Sequence, residues 1–390
     1  MNKLSILSGV TALGLFGAPA GALAEDTFKI GLLQSMTGTL APVGKQVIAG
    51  VRLYMQQHGN FVGGKKIEII LRDDTTVPDV GKRLAQELIV NDKVQVLGVG
   101  ITPVALAVAP LATEAKIPEV VMVSGTSAVT ERSAYIVRTS FTLGQQSAVI
   151  ADWAAKQGSK KTVIIQSDWA PGAEATAVFT DVYTKAAGQI LETLKVPLAN
   201  PDFSPFLQRA RDNNPDTLFV FVPAGQAGVF AKQFIERGLD KSGIRLVGPG
   251  DITDDNDLPG MSDAMIGVVT AGLYSASHDS PMNRDYVAAI KEGNNGLRAN
   301  FISVGGYDGM HLIYEALRKI GGRTDGDSLV SAMKGMKWES PRGPISIDPE
   351  TRDIIQNIYI RKVEKIGGEL YNTEIATFEA VKDPTKAMKK

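Results

Sequence analysis

Short apolar runs recur along this chain, separated by longer stretches of mixed polarity, the rhythm of buried strands alternating with amphipathic helices. FKIGLL at 28–33 predicts a strand, and a polar turn then leads to a helix over 44–57. IEIILR, a helix over 80–91, VQVLGVG and a small-residue helix over 103–115 complete three strand–helix units. The run 120–123 is a fourth strand, and it empties into Ser124-Gly125-Thr126. Alternation of this kind predicts an α/β fold in which a parallel sheet carries helices on both faces.

In such sheets the carboxyl ends of strands present free N–H groups and small side chains to a ligand crevice. Ser124, Gly125 and Thr126 supply both, so this turn is a candidate anion cradle. A short run at 135–137 then leads through Arg138-Thr139-Ser140 into a fresh series, as a crossing between lobes does. A helix over 143–157, TVIIQ, a helix over 172–187, QILETLKV, a helix opened by Ser204-Pro205 as cap and first turn, TLFVFV, a helix over 228–237, IRLVG and IGVVT make a second lobe. Helices over 282–291, 304–320 and 327–333 are expected to return to the first lobe. IIQNIYIRKV and ELYNTEIATF, parted by Lys365-Ile366-Gly367-Gly368, predict a closing hairpin. The expected division is 25–140 with 274–352 as lobe 1, and 141–273 with 353–390 as lobe 2.

A length of 390 residues agrees with two lobes, since single cores stop growing at roughly 250–300 residues. The 41 Lys and Arg balance 42 Asp and Glu, for a formal net charge of −1, and no field invites nucleic acid or an anionic membrane. Segment 1–24 has Lys3 at its start, an apolar run over 4–16 and Ala22-Leu23-Ala24 as a cleavage site. It reads as a signal peptide rather than an anchor, because about 13 apolar-biased residues fall short of the roughly 20 needed to cross a bilayer. The chain has no cysteine, which removes both a lipidated N-terminus and disulfides. Export to the periplasm as a protein without membrane anchoring is the expectation.

Most candidate chemistry falls away on inspection. GTLAPVGKQ at 38–46 resembles a phosphate loop, but five residues separate Gly38 from Gly44, and Gln46 stands where a hydroxyl must reach magnesium. The plainer reading is a helix-capping turn facing the cleft. The acids of GDITDDND at 251–257 lack calcium-loop spacing and read as a solvated helix start, with Asp251 nearest the strand end. Three histidines, His58, His278 and His311, fall in no metal or hydrolase pattern. No catalytic residue, cofactor or metal is therefore expected. Trp169 in QSDWAPG is placed to face a ligand or to pack on the rim. Trp153 and Trp338 read as structural, while Phe301 and Tyr307 are further candidates for the cleft. Arg138 suits either a bound carboxylate or a hinge salt bridge, the commoner use.

Taken together, FKIGLLQSMTGTLAPVGKQVIAGVRLYMQQ, LRDDTTVPDVGKRLAQELIVNDKVQVLGVG, VPLANPDFSPFLQRARDNNPDTLFVFV and VGGYDGMHLIYEAL resemble the branched-chain amino acid type of ABC-transporter periplasmic binding protein. The resemblance spans essentially the whole mature chain. It implies a type I periplasmic binding fold, two Rossmann-like lobes joined by a three-segment hinge and closing like a flytrap on one solute. It implies that carboxylates are held at 100–103, including Thr102 and Pro103, and at Ser124, Gly125 and Thr126. Further pocket positions are implied at Val43, Trp169, Pro223, Ala224, Gly225, Gly250, Asp251 and Phe301. The implied partners are a small carboxylate and a membrane permease, with the protein acting as a monomer. Amino-acid binders of the family place an acid after the Gly-Pro pair that here is Gly248-Pro249, yet this chain has Gly250 there, with Asp251 one place later. A buried unpaired ammonium is costly, so this departure, with Val43 and Trp169 at positions where the family carries tyrosine, favours an aromatic carboxylate of phenylpropanoid, phenylpyruvate or benzoate type. A branched-chain amino acid binder and an extracytoplasmic sensor are the alternatives.

Overall fold

The computed structural model describes residues 26–388, so the expected signal segment 1–24 lies outside the described residues. The first lobe runs through β1 (Thr27–Gln34), α1 (Ala41–His58), β2 (Phe61–Val62), β3 (Lys65–Asp73), α2 (Pro78–Val90), β4 (Val96–Val99), α3 (Thr102–Ala115), β5 (Glu119–Val121) and β6 (Ile136–Arg138). The second runs through α4 (Leu143–Lys156), β7 (Lys161–Ser167), α5 (Ala170–Lys185), β8 (Gln189–Val196), α6 (Ser204–Asp212), β9 (Thr217–Phe221), α7 (Ala227–Glu236), β10 (Arg245–Pro249) and β11 (Val269–Gly272). There follow α8 (Pro281–Gly293), α9 (Phe301–Lys319), α10 (Gly326–Met333), β12 (Lys337–Ser340), β13 (Gly343–Ile347), β14 (Ile354–Ile366), β15 (Glu369–Val381) and α11 (Pro384–Met388).

Two sheets result. The first has the order β2-β3-β1-β4-β5-β6 and is parallel apart from the short β2. Strands β4, β5 and β6 are buried at every position, as strands covered on both faces must be. The second sheet has a parallel core, β11-β10-β9-β7-β8, on which β14 packs antiparallel with β13, β12 and β15 beyond it. Helix α9 returns to lie on α1, with Tyr54 and Tyr307 edge to face at 5.0 Å and the Tyr307 hydroxyl donating to Gln57 at 2.7 Å. The closing hairpin turns at Gly367 and Gly368, whose φ of 60° and 91° give the two left-handed residues a tight hairpin needs.

Two details differ from expectation. Ser204 does not cap α6 but begins it, because Asp202 two residues earlier already accepts its N–H at 3.0 Å. Strands β12 and β13, inside the segment assigned to lobe 1, are hydrogen-bonded into the second sheet. They remain tied to the first lobe by Trp338 Nε1 and Ser340 Oγ, which donate to Asp308 on α9 at 3.0 and 2.9 Å. Short strands of this kind carry no sequence mark of which sheet edge will accept them.

Three arginines with almost no exposure hold the crossings. Arg138 pairs with Asp353 at 2.8 Å, Arg342 with Asp308 at 2.9 Å and Arg361 with Asp255 at 3.5 Å. Burying such charges is costly, and the cost is offset where further N–H groups are bonded; Nε of Arg342 and of Arg361 has no partner among the described residues, but the terminal N–H groups do. Here they reach hinge carbonyls: Arg342 those of Thr139 and Ser140, and Arg361 that of Tyr274.

Candidate functional site

A cavity lies between the lobes at the carboxyl ends of both parallel sheets, with about 440 Å³ of empty space when the open solvent at its mouth is included. The first-lobe wall is a hydroxyl cluster. Thr102 opens α3, Ser124 follows β5, and their side-chain oxygens are 2.6 Å apart, with Thr126 Oγ1 behind at 3.3 Å. Helix α3 has no side-chain cap, so its first N–H groups are open to an anion.

Arg138 fixes this wall from behind. Its guanidinium donates to the carbonyls of Ser124, of Phe141 at 3.0 Å and of Thr126 at 2.6 Å, while Leu143 N–H takes the Gly125 carbonyl at 2.9 Å. In a trans peptide the N–H points opposite to the C=O. Turning the Ser124 and Gly125 carbonyls toward the hinge therefore turns the N–H groups of Gly125 and Thr126 the other way, and among the described residues neither has a partner. An oxygen anion is what such a wall accepts. Arg138 is thus a hinge salt bridge and a support of the cradle.

The second-lobe wall is built differently. Trp169 immediately precedes α5 on extended backbone, and Pro171, Phe221 and Pro223 add apolar surface. Asp251 follows β10 in a short 3₁₀ turn, Gly250–Thr253, and is 5% exposed. Burial pushes its carboxyl up to about 7, against the lowering pull of its own N–H, Arg361 and the Ala224 N–H. Asp251 Oδ2 and Trp169 Nε1 are both buried without a hydrogen-bond partner among the described residues. Phe141 and Phe301 meet edge to face at 5.3 Å beside them.

The lobes touch around this space. Glu174 on α5 accepts the Ser127 N–H at 2.9 Å, Asn300 at the start of α9 donates to both Asp254 oxygens at 3.0 Å, and Pro42 of α1 lies within 3.5 Å of the space beside Gly225. Burial raises the Glu174 carboxyl to about 7; the Ser127 N–H lowers it and Asp383 raises it further.

Nine predicted residues line the cavity: Val43, Thr102, Ser124, Gly125, Trp169, Pro223, Ala224, Asp251 and Phe301. Four do not. Pro103 lies in the first turn of α3, and Thr126 stands behind the cradle. Gly225 donates its N–H to Asp257 at 3.1 Å. Gly250 is clamped between Gln146, which accepts its N–H at 3.1 Å, and Arg361, which donates to its carbonyl at 3.1 Å. A Cβ at Gly250 would lie 2.4 Å from the Arg361 guanidinium, so an acid could not stand there without displacing Arg361. Asp251, one place later, takes the cavity-facing place instead, so the acid absent at Gly250 is present in the lining.

The acidic cluster is also not a solvated helix start. Asp254 and Asp255 are 1% exposed, bonded to Asn300 and to Asn372 and Arg361 respectively, contacts made by residues distant in sequence. Among the described residues no group of His, Asp or Glu is arranged to hold a metal. Tyr307 packs outside the cavity, and His311 stacks on Trp338 at 5.1 Å.

Sequence reading named Ile101 only as part of the span 100–103 and missed Leu40, Val123, Phe141, Leu143, Pro171, Phe221 and Ile302 in the lining. Most were within reach of it. Ile101, Val123, Pro171 and Ile302 stand beside predicted residues or one place from them, Phe221 ends a predicted strand, and Phe141 and Leu143 belong to the expected crossing.

The model of the periplasmic binding protein family matches residues 27–368. Leu/Ile/Val-binding protein homolog 6 of Brucella melitensis biotype 1 is 44% identical over 389 residues, 98% of this chain and 99% of that protein. A solute-binding protein of an ABC transporter from Rhodopseudomonas palustris BisB5, solved with 3,4-dihydroxybenzoic acid, has 65% identity and a TM-score of 0.91 over 93% of this chain and 100% of its own. Another from Rhodopseudomonas palustris HaA2, solved with p-hydroxybenzoic acid, has 42% identity and a TM-score of 0.89 over 93% and 100%. With two lobes closing on one apolar cavity and a match along nearly its whole length, the chain belongs to the periplasmic binding protein family and is the substrate-binding protein of an ABC transporter.

Proposed function

We propose that this protein captures a small aromatic carboxylate, of the benzoate and hydroxybenzoate kind, in the periplasm and delivers it to a membrane permease without chemical change. The observation that carries this reading is the make-up of one cavity: a hydroxyl and amide cradle on the first lobe, with rings from Trp169, Phe221, Phe141 and Phe301 in the same lining. Carboxylate oxygens match donors that have no other partner, and a flat apolar ring matches the remaining walls. The aromatic acids held by the Rhodopseudomonas palustris neighbours support the same choice. In this mechanism the acid docks on Thr102, Ser124 and the Gly125 amide, the lobes close, and Glu174 engages the Ser127 amide across the cleft. The permease recognises the closed pair of lobes. The N-terminal segment 1–24 acts as the export signal, and the protein works as a monomer.

A second reading is a branched-chain amino acid ligand. Asp251 is an acid that faces the cavity and could receive an ammonium, and the Brucella relatives are named for leucine, isoleucine and valine. A thermal-shift panel separates the two. A ligand present at 100 times its Kd adds roughly 2.7 kcal/mol of stability, so benzoate, 4-hydroxybenzoate, phenylpyruvate and coumarate should include strong stabilisers while leucine and valine give none. Stabilisation by leucine or valine with no response to any aromatic acid overturns the proposal.

A further inference from the structure

We propose that Trp169 and Asp251 form a reader for a hydroxyl group on the ring of the bound acid: the indole N–H donates to the hydroxyl oxygen, and the hydroxyl donates to Asp251 Oδ2. This rests on the aromatic-acid reading above and goes beyond it by naming the ring substituent and the residues that select it.

The starting observation is a pair of orphans. Among the described residues Trp169 Nε1 and Asp251 Oδ2 are buried and have no hydrogen-bond partner, and both residues line the same cavity. Leaving one buried polar atom unpaired costs about 1–3 kcal/mol, and such groups in native proteins call for an explanation. Other buried orphans, such as Ser167 Oγ and Gln146 Nε2, belong to residues that do not line the cavity. The second-lobe wall is otherwise apolar, so these two atoms are conspicuous.

Their chemistry restricts what completes them. One is a donor that needs an acceptor, and the other is a carboxylate oxygen that needs a donor. An ammonium has donors only; it would satisfy Asp251 while leaving the indole N–H unpaired, with the Arg361 cation close behind the same carboxylate. A second carboxylate on the ligand has the opposite fault. A hydroxyl donates and accepts in one atom and fits both orphans. The carboxylate itself is held in place, since Asp251 lies in the 3₁₀ turn directly after β10 and Gly250 before it is pinned from two sides by Gln146 and Arg361. Burial alone accounts for most of the upward push on this carboxyl, to about 7, and an O–H donated to it is the compensation that the free cavity lacks.

The test is calorimetric titration of the full-length mature protein with benzoate, 3-hydroxybenzoate and 4-hydroxybenzoate, at one fixed pH, for the wild type, Trp169→Phe and Asp251→Ala. The wild type is expected to bind the better of the two hydroxybenzoates at least about tenfold tighter than benzoate, one hydrogen bond's worth or more. Whatever each variant does to benzoate itself, that ratio should fall toward one in both. Trp169→Phe keeps the ring wall, so it carries the test alone should Asp251→Ala fail to fold. A wild-type ratio near one, with both acids bound, overturns the hydroxyl reader and leaves the aromatic-acid reading standing. So does a ratio that survives Trp169→Phe. Failure of the wild type to bind any of the three acids overturns the aromatic-acid reading and the reader with it.

Discussion

The two walls of the cavity solve opposite problems. On the first lobe every polar side chain of the cradle has a neighbour, with Thr102, Ser124 and Thr126 bonded to one another and the carbonyls of Ser124, Gly125 and Thr126 taken by Arg138 and the Leu143 N–H. Only backbone N–H groups are left over, and these suit any carboxylate. On the second lobe the walls are mostly rings and prolines, and two polar side-chain atoms there, Trp169 Nε1 and Asp251 Oδ2, are unpaired among the described residues. A wall that is satisfied without ligand is rigid and undiscriminating. A wall that is left unsatisfied gains most from the one solute that completes it, which is how binding sites reject close analogues. On the proposed reading, the difference divides capture and choice between the lobes.

The largest expected effect comes from removing the support of the first wall. Arg138→Met removes the 2.8 Å partner of Asp353, which keeps Lys386 at 3.5 Å and the Thr130 hydroxyl at 2.9 Å, and frees the cradle carbonyls, so stability should fall by about 3 kcal/mol, measured by urea denaturation, together with ligand binding. A loss below about 1 kcal/mol would show that the cradle holds its shape unaided.

Next is the contact that joins the walls. The Glu174 carboxyl is raised to about 7 in the folded protein, so between its ordinary value and 7 the folded state holds the extra proton. Stability from this group is therefore greatest on the acid side and declines as pH rises through about 7, by on the order of 2–3 kcal/mol. Thermal melts from pH 5 to 8 should fall with pH in the wild type, and Glu174→Gln, which keeps an acceptor for Ser127, should make the slope shallower while leaving the share of Asp251, whose carboxyl is also raised to about 7. Equal slopes would remove Glu174 as the titrating contact.

Smaller effects grade the cradle itself. Ser124→Ala removes a hydroxyl in the cavity wall, and the loss of a hydrogen bond to a charged ligand, about 1.5–3 kcal/mol, corresponds to roughly a 10- to 100-fold weaker Kd by calorimetry. Thr126→Ala should cost only about 0.5–1.5 kcal/mol, because Thr126 touches Thr102 at 3.3 Å and does not line the cavity. If Thr126→Ala weakens binding more than Ser124→Ala, the order of residues in the cradle is wrong.

Much of the molecule was legible in the chain alone. Strand–helix alternation identified both lobes, because a strand buried on two faces has to be continuously apolar and a helix on the surface of a sheet has to be amphipathic. The turn at Ser124-Gly125-Thr126 was legible as a cradle because small hydroxyl residues and glycine at a strand end leave their amides open. The tight hairpin at Gly367-Gly368 was legible because only such residues take its left-handed backbone without strain.

What stayed hidden depends on which distant residues meet. The slip from Gly250 to Asp251 looked like the loss of an acid, and only the Arg361 guanidinium, brought against Gly250 from a strand more than a hundred residues on, turns it into a change of place. The aspartates at 254 and 255 read as solvent-facing until Asn300, Asn372 and Arg361 are folded onto them. Sequence by itself determined the lobes, the crossings and a turn of small residues at a strand end, since each follows from local periodicity and turn chemistry. The tertiary structure alone decided which polar atoms of the second lobe were left without partners, because satisfaction of a buried group is a property of everything packed around it and of no single stretch of chain.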